Sequence, residues 1–266
     1  MIAQLQIQAC LRGSRTVLGE TYCTPPLKVA NITEARQDSG LELMLMSSSP
    51  GILDGDAYHI TIGLAANCHL QLRTQSYQRL FNMKNGATQL MEVFAQDNSL
   101  FIYLPHPAVP HGESIFTATN NIYLGNNCRL VWGEILTCGR KLNKELFQCT
   151  RYHNKTSIFI NNKLVIKENL LIEPAAADPQ GIGQLEGYTH QASLILLDEQ
   201  VRGAAIKDEV FTFLNNQQGI SFGVTAAVVP GIIIRIHGNK AEQLFTLLHT
   251  IAGIFTAAID GQLLPN

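Results

Sequence analysis

The feature that most constrains this chain is a turn that recurs at near-equal spacing. Gly63-Leu-Ala-Ala-Asn-Cys-His-Leu-Gln-Leu, Ala95-Gln-Asp-Asn-Ser-Leu-Phe-Ile-Tyr-Leu and Gly125-Asn-Asn-Cys-Arg-Leu-Val-Trp each set an asparagine, a small residue and a returning apolar strand in that order. The asparagines are Asn67, Asn98 and Asn127, and Asn161-Asn162-Lys163 continues a spacing of roughly thirty residues. Asparagine tolerates the left-handed backbone that tight strand-to-strand turns require. A unit of that length cannot bury its apolar face alone, so the repeat predicts hairpins stacked in layers, a mainly β, β-helix-like (solenoid-like) fold. An ordinary β-sandwich carrying similar hairpins is the alternative that the period leaves open.

Strand patterning extends from Ile2 to about residue 200. Leu41-Glu-Leu-Met-Leu-Met, Tyr58-His-Ile-Thr-Ile, Leu100-Phe-Ile-Tyr-Leu and Arg129-Leu-Val-Trp-Gly-Glu-Ile-Leu alternate or run apolar between Gly, Asn and Asp punctuation. The remainder, 201–266, changes period. Arg202 to Asn216 and Asn239 to Asp260 carry helical spacing, and Ile220 to Ile236 between them reads as a buried hairpin. Asn239 followed by Glu242 resembles a capping box, and Gly261 marks a stop. No linker separates this tail, so residues 1–266 are expected to form a single domain.

Composition excludes several classes. Charged residues make up only 15% of the 266 residues, against about 25% in an ordinary soluble domain, which points to surface covered by partners. The net charge of −2 offers no basic field for nucleic acid or an anionic membrane. The longest uncharged stretches, Ile220 to Ile234 and Leu244 to Ile259, fall short of the roughly 18–20 apolar residues of a membrane span. The N-terminus reads as a strand rather than a signal peptide, and six cysteines without a C-x-x-C pair read as free thiols in a cytoplasmic protein. Phosphate-loop, nucleophile-elbow, dinucleotide and zinc-protease motifs do not occur.

The candidates for chemistry are acidic. Asp54 and Asp56 flank Gly55 after Ser47 to Gly51, a spacing that either aims two carboxylates at one cation or caps backbone N–H groups of a turn. Glu134 stands inside an apolar strand, where a carboxylate is costly unless it is paired, with Arg140 as a candidate, or lines a wet cavity. Glu186 precedes Gly187-Tyr-Thr-His190. His106, His111 and Glu113 share a proline-stiffened loop that reads as a contact surface before it reads as a metal site.

Ser49-Pro-Gly-Ile-Leu-Asp-Gly-Asp-Ala, Leu72-Arg-Thr-Gln-Ser, Leu104-Pro-His-Pro-Ala-Val-Pro, Trp132-Gly-Glu-Ile-Leu-Thr-Cys-Gly-Arg and Gly187-Tyr-Thr-His, in that order, resemble the successive motifs of the urease accessory protein family called UreD or UreH. Gly219-Ile-Ser-Phe-Gly-Val and Gly231-Ile-Ile-Ile-Arg-Ile-His-Gly resemble that family's ending, so the likeness covers nearly the whole chain. The chain departs from the pattern at Pro50-Gly51-Ile52, with one glycine where the family often has two, and around Leu80-Phe-Asn-Met-Lys, where the family often shows a basic residue.

The resemblance implies a non-enzymatic scaffold that binds apo-urease and a UreF-type protein, and through it a UreG-type GTPase. It also implies transient passage of Ni²⁺ through an internal tunnel, with no tightly bound cofactor. Asp56 and Glu134 stand at positions where the family usually carries acidic residues and are the leading tunnel candidates; Asp54, Glu186 and His190 are weaker ones. The rival classes are a secreted-type β-helix carbohydrate-active enzyme, against which a single Trp counts, and a generic β-solenoid scaffold for metallocluster assembly. The purified chain is expected to release no product above background from GTP, urea or polysaccharide. Turnover that follows the protein through successive columns and vanishes in Asp56 or Glu134 variants would favour the enzyme class.

Overall fold

Alternation along β1 (Ile2–Arg12) sends Ala3, Leu5, Ile7 and Ala9 inward and Gln4, Gln6 and Gln8 outward, as a strand with one buried face requires. The computed structural model describes residues 1–34, 40–198 and 203–262. Its first sheet sets β1, β5 (Ala57–Leu64), β8 (Ala87–Ala95), β11 (Ile115–Leu124) and β13 (Arg151–Ile160) side by side and parallel. Antiparallel β2 (Arg15–Cys23) and β14 (Lys163–Ile172) form its edges. The second sheet pairs β4 (Leu41–Ser47), β6 (His69–Thr74), β9 (Leu100–Leu104) and β12 (Arg129–Thr137) in parallel. It is extended at one side by β3 (Leu27–Asn31) and at the other by antiparallel β15 (His190–Leu197), β17 (Gly231–Gly238) and β16 (Ile220–Ala226). Short strands β7 (Gln78–Leu80) and β10 (Ala108–Pro110) pair with each other beside β12.

The fold is therefore mainly β with two helices, but it is not the expected solenoid-like stack of hairpins. Asn67, Asn98 and Asn127 take the left-handed conformation, with φ of 61°, 59° and 52°. Each turn carries the chain from a strand of the first sheet to a strand of the second, and the two strands it joins do not pair with each other. Of the four repeated turns, only Asn161-Asn162 closes a hairpin, between β13 and β14. The repeat is thus a circuit through both sheets, with Asn67 N–H donating to the Asp97 carbonyl and Asn98 N–H to the Asn126 carbonyl, both at 2.9 Å. A left-handed asparagine turns the chain equally well toward its own neighbour or toward a facing sheet, so the local signal does not encode which strand becomes the partner.

The second sheet is covered on both faces. Leu130, Trp132 and Leu136 of β12 face the first sheet, while Val131 and Ile135 face the helices α1 (Gly203–Asn215) and α2 (Ala241–Gln262). Val210, Leu248 and Phe255 complete that outer core, each such burial contributing roughly 1.5–3 kcal/mol. Asn239 does not cap α2. The helix begins two residues later, and the Asn239 side-chain oxygen instead accepts from Thr189 N–H at 3.1 Å and the Thr189 hydroxyl at 3.0 Å. Glu242 likewise turns away from a capping box to accept from the Tyr77 hydroxyl. The helix also runs past Gly261, the expected stop.

Gly51 lies against β7. Ile52 N–H donates to the Arg79 carbonyl at 2.8 Å, and an added Cβ at Gly51 would meet that carbonyl, with Phe81 Cε2 at 2.8 Å and Arg79 Cβ at 2.9 Å. Gly51→Ala is expected to push the 47–52 loop off β7 at a cost of about 1–3 kcal/mol. Thermal unfolding should show this as a fall of several degrees, and an unchanged melting temperature would refute the packing argument.

Candidate functional site

Between the sheets lies a cavity of about 150 Å³, enough for several water molecules. Its mouth is framed by the loops after β4 and β6, where Ser47, Pro50, Gln75 and Ser76 are exposed, together with Tyr77 and His106. Its inner end is built by Trp132 and Glu134 of β12 facing Asn120 of β11 and Asn154 of β13. Two-residue periodicity puts Trp132 and Glu134 on one face. Gly133 between them points to the helical side, where Leu104, Leu194 and Leu248 leave no comfortable room for a Cβ. That is the physical content of the Trp-Gly-Glu motif.

The Glu134 carboxylate is half-buried, opens on the cavity and is held entirely by neutral donors. Trp132 Nε1–H and the Thr156 hydroxyl donate to Oε1 at 2.8 and 2.9 Å, and Asn154 Nδ2 donates to Oε2 at 2.7 Å. Asn120 Nδ2 reaches Oε1 at 3.4 Å while bonding Asn154 Oδ1 and Thr156 Oγ1, both at 3.0 Å. The expected partner Arg140 pairs with Glu145 on its own loop instead, five residues away, where a guanidinium stays hydrated. Among the described residues Glu134 has no salt bridge. Burial drives its pKa up; the bonds from Trp132, Asn154 and Thr156 oppose this, and the negative charge of Glu168 adds to it. The phenols of Tyr103 and Tyr152, buried near Glu134, are raised first by desolvation and then by its charge.

The other acidic candidates sit elsewhere. Asp56 is buried outside the cavity lining, its Oδ1 3.0 Å from the Met1 ammonium and its Oδ2 accepting Leu53 N–H at 2.9 Å. It acts electrostatically on Tyr58, whose pKa rises through burial first and the Asp56 charge second. The Tyr58 hydroxyl, on the cavity wall, has no partner within bonding geometry among the described residues, although the Ser47 and Ser49 hydroxyls act on it and oppose the rise in its pKa. Asp54 takes the turn-capping reading: it accepts backbone N–H groups from Lys84, Asn85 and Gly86 at 2.7–3.1 Å, and the bond from Asn85 leads the lowering of its pKa. Glu186 accepts Gly183 N–H at 2.9 Å on an exposed loop.

His190 is buried against Thr189, its Nδ1 2.7 Å from the hydroxyl, and desolvation with Lys141 nearby lowers its pKa to about 4. His106, at the cavity mouth, bonds the Thr74 hydroxyl at 3.1 Å and stacks on Phe245 of α2 at 4.6 Å, whereas His111 packs edge-on against Phe81. Among the described residues no three His, Cys, Asp or Glu side chains converge as a metal site. All six cysteines are free.

Sequence reasoning passed over Asn120, Asn154 and Thr156, which do most of the work around Glu134. The signal was present: in Phe116-Thr-Ala-Thr-Asn-Asn-Ile the alternation places Asn120 on the same inward face as Phe116, Ala118 and Ile122. An amide at a core-facing strand position demands a partner.

A sequence model of the family described as UreD urease accessory protein matches residues 1–265. The chain belongs to the UreD family. It is 44% identical over 252 residues to the urease accessory protein UreD of Flavobacterium johnsoniae, covering 94% of this chain and 91% of that one. To the UreD of Acetivibrio thermocellus it is 31% identical, covering 95% and 96%. The urease accessory protein UreH of Helicobacter pylori is 26% identical, covering 92% and 91%. The UreD family is one of accessory proteins and not of enzymes. Among the described residues no helix is long and apolar enough to cross a membrane.

Because burial raises the folded pKa of Glu134 above its ordinary value near 4.5, folding favours the protonated acid. Wild-type stability relative to Glu134→Gln is therefore greatest below that value and declines as pH rises through the raised pKa. Melting temperatures of both proteins across that window should diverge in this sense, and a pH-independent difference would refute the assignment.

Proposed function

We propose that this chain is a urease maturation scaffold that holds apo-urease and a UreF-type protein, and through the latter a UreG-type GTPase, while Ni²⁺ passes through the cavity between its sheets to the urease site. The observation that carries this reading is the Glu134 carboxylate, unpaired with any cation among the described residues and presented at the inner end of an inter-sheet cavity with mixed polar and apolar walls. A carboxylate satisfied only by neutral donors has no counter-ion to screen it from a passing cation, and a low local dielectric strengthens the attraction of its ionised form.

The rest of the polar lining is hydroxyl, phenol, amide and indole, with one imidazole, His106, at the mouth and bonded to the Thr74 hydroxyl, so among the described residues no cluster of strong ligands stands beside Glu134 to arrest a borderline cation such as Ni²⁺. Transit demands that combination of one attracting charge and weak neighbours. Asp56 acts at one remove, outside the cavity lining: it braces the 53–56 turn and adds its charge to the effect of burial on Tyr58. The scaffold works as a single unit because the ten-stranded sheet belongs to both hydrophobic cores.

Deleting the chain should leave urease subunits assembled but nickel-poor and nearly inactive. Glu134→Gln keeps the shape; it requires Asn154 to rotate its amide toward the new N–H₂, a cost of about 1 kcal/mol. It should remain soluble and still pull down the UreF-type partner, while urease nickel content falls. Normal nickel content in the deletion strain would overturn the maturation reading, and normal content with Glu134→Gln would overturn the passage.

A further inference from the structure

The first sheet ends at β14, whereas the second continues past β12 through β15, β17 and β16. A seam therefore runs between the β14 edge and the sheet beneath it. Apolar residues fill most of it: Ile166, Leu170 and Ile172 of β14 and Ile195 and Ile233 of the other sheet all pack into the inter-sheet core. Two facing rows of polar side chains interrupt this packing.

In the first sheet Asn120 is in register with Thr156, and Thr156 with Glu168 at the edge. In the second, Glu134 is in register with Ser193, and Ser193 with Arg235. Each row crosses two strand spacings, roughly 10 Å, from the cavity end to the surface. The rows are tied at both ends. Asn120 and Thr156 donate to Glu134 at the inner end, and Arg235 is bonded to Glu168 at the outer one.

The outer tie has no evident packing purpose, since residues two positions to either side of Glu168 on β14 are apolar and bury themselves in the seam. Its two members are partly exposed, 23% for the Glu168 side chain and 49% for Arg235, so water reaches both. The field of Glu168 also reaches Glu134, adding a small contribution to the rise that burial causes, so the two carboxylates lie within electrostatic range.

We infer that the two polar rows are the outer leg of the cation passage and that the Glu168–Arg235 ion pair is its gate. This rests on the passage reading above. At rest the Arg235 guanidinium occupies the Glu168 carboxylate and sets a positive charge across the exit, which repels a divalent cation and keeps the seam shut. A cation arriving at Glu134 is drawn onward by Glu168, two strands away. It displaces the guanidinium, which swings into solvent, and after the cation leaves, the pair re-forms. An exposed pair suits this role because its net strength is small, so it parts without disturbing the fold.

The test uses the full chain co-expressed with its urease subunits and accessory partners, with Ni²⁺ limiting in the medium. The readouts are nickel per urease active site, pull-down of the UreF-type partner and melting temperature of the chain. Glu168→Gln is expected to lower nickel content several-fold with pull-down and melting temperature unchanged, because Arg235 is then an uncompensated positive charge at the exit. Arg235→Gln is expected to raise nickel content at limiting supply.

The exchanged pair, Glu168→Arg with Arg235→Glu, restores an ion pair but sets the cation beside Thr156. It is expected to be as nickel-poor as Glu168→Gln. Nickel content restored by the exchange, or lowered equally by both single variants, would reduce the pair to a structural tie and overturn the gate, as would an unchanged content in Glu168→Gln. Glu134→Gln separates the two levels. If it lowers nickel while Glu168→Gln does not, the gate alone fails. If neither has an effect, the passage reading fails with it.

Discussion

A half-buried carboxylate without a counter-ion is the constraint around which the inter-sheet space is organised. Partial desolvation of Glu134 is unfavourable, and the fold offsets it with indole, amide and hydroxyl donors from β12 and β13, with the Asn120 amide of β11 beside them. A neighbouring arginine would have satisfied the charge more cheaply and would have erased its reach. The donors stabilise the anion without neutralising it, so the site keeps an electrostatic pull that an ion pair would have spent. Tyr103 and Tyr152, raised in pKa first by burial, are raised further by that charge.

Holding those donors in place requires parallel strands in strict register. Asn120 and Thr156 lie opposite one another because β11 and β13 pair without a bulge across their whole length. A slip of one residue would turn both away from Glu134 and put Thr119 and Lys155 on the inner side. The stacked turns at Asn67, Asn98 and Asn127 hold the ends of these strands level, since each turn's backbone bonds to the next. The structural repeat and the polar site are thus one device: the repeat supplies the register and the register supplies the donors.

The helical layer acts on the mouth of the same cavity. Glu242 of α2 bonds Tyr77, and Phe245 stacks on His106, so two residues at the cavity entrance are held by the first turns of one helix. Because α2 also packs through Leu248 over Gly133, the strand that carries Glu134 and the entrance loop share a rigid support. The low charge of the chain has a counterpart here: much of its polar surface is neutral amide and hydroxyl, both outside on β1 and inside around the cavity.

Strand content, the two helices and the 220–236 hairpin were legible in the sequence because each is written in local alternation or helical spacing, but the hairpin is not buried as expected: β16 is an edge strand with no fully buried residue, since only β17 has a neighbour on both sides. The family was legible too, since its motifs lie in order along the chain. Glu134 stood out because a carboxylate in an apolar strand is anomalous by itself. What the chain could not reveal locally was partnership. Whether an asparagine turn closes a hairpin or crosses to a facing sheet depends on strands about thirty residues away. Whether Glu134 meets Arg140 or Asn154 depends on which strand stands opposite. Asp54 and Asp56, adjacent but for one glycine, were separated by the tertiary structure into a clasp on the 84–86 turn and an anchor for Met1. Local patterning determines which residues turn inward; only the packing of distant strands decides what they face, because hydrogen bonds and charges act over a few ångströms of space regardless of distance along the chain.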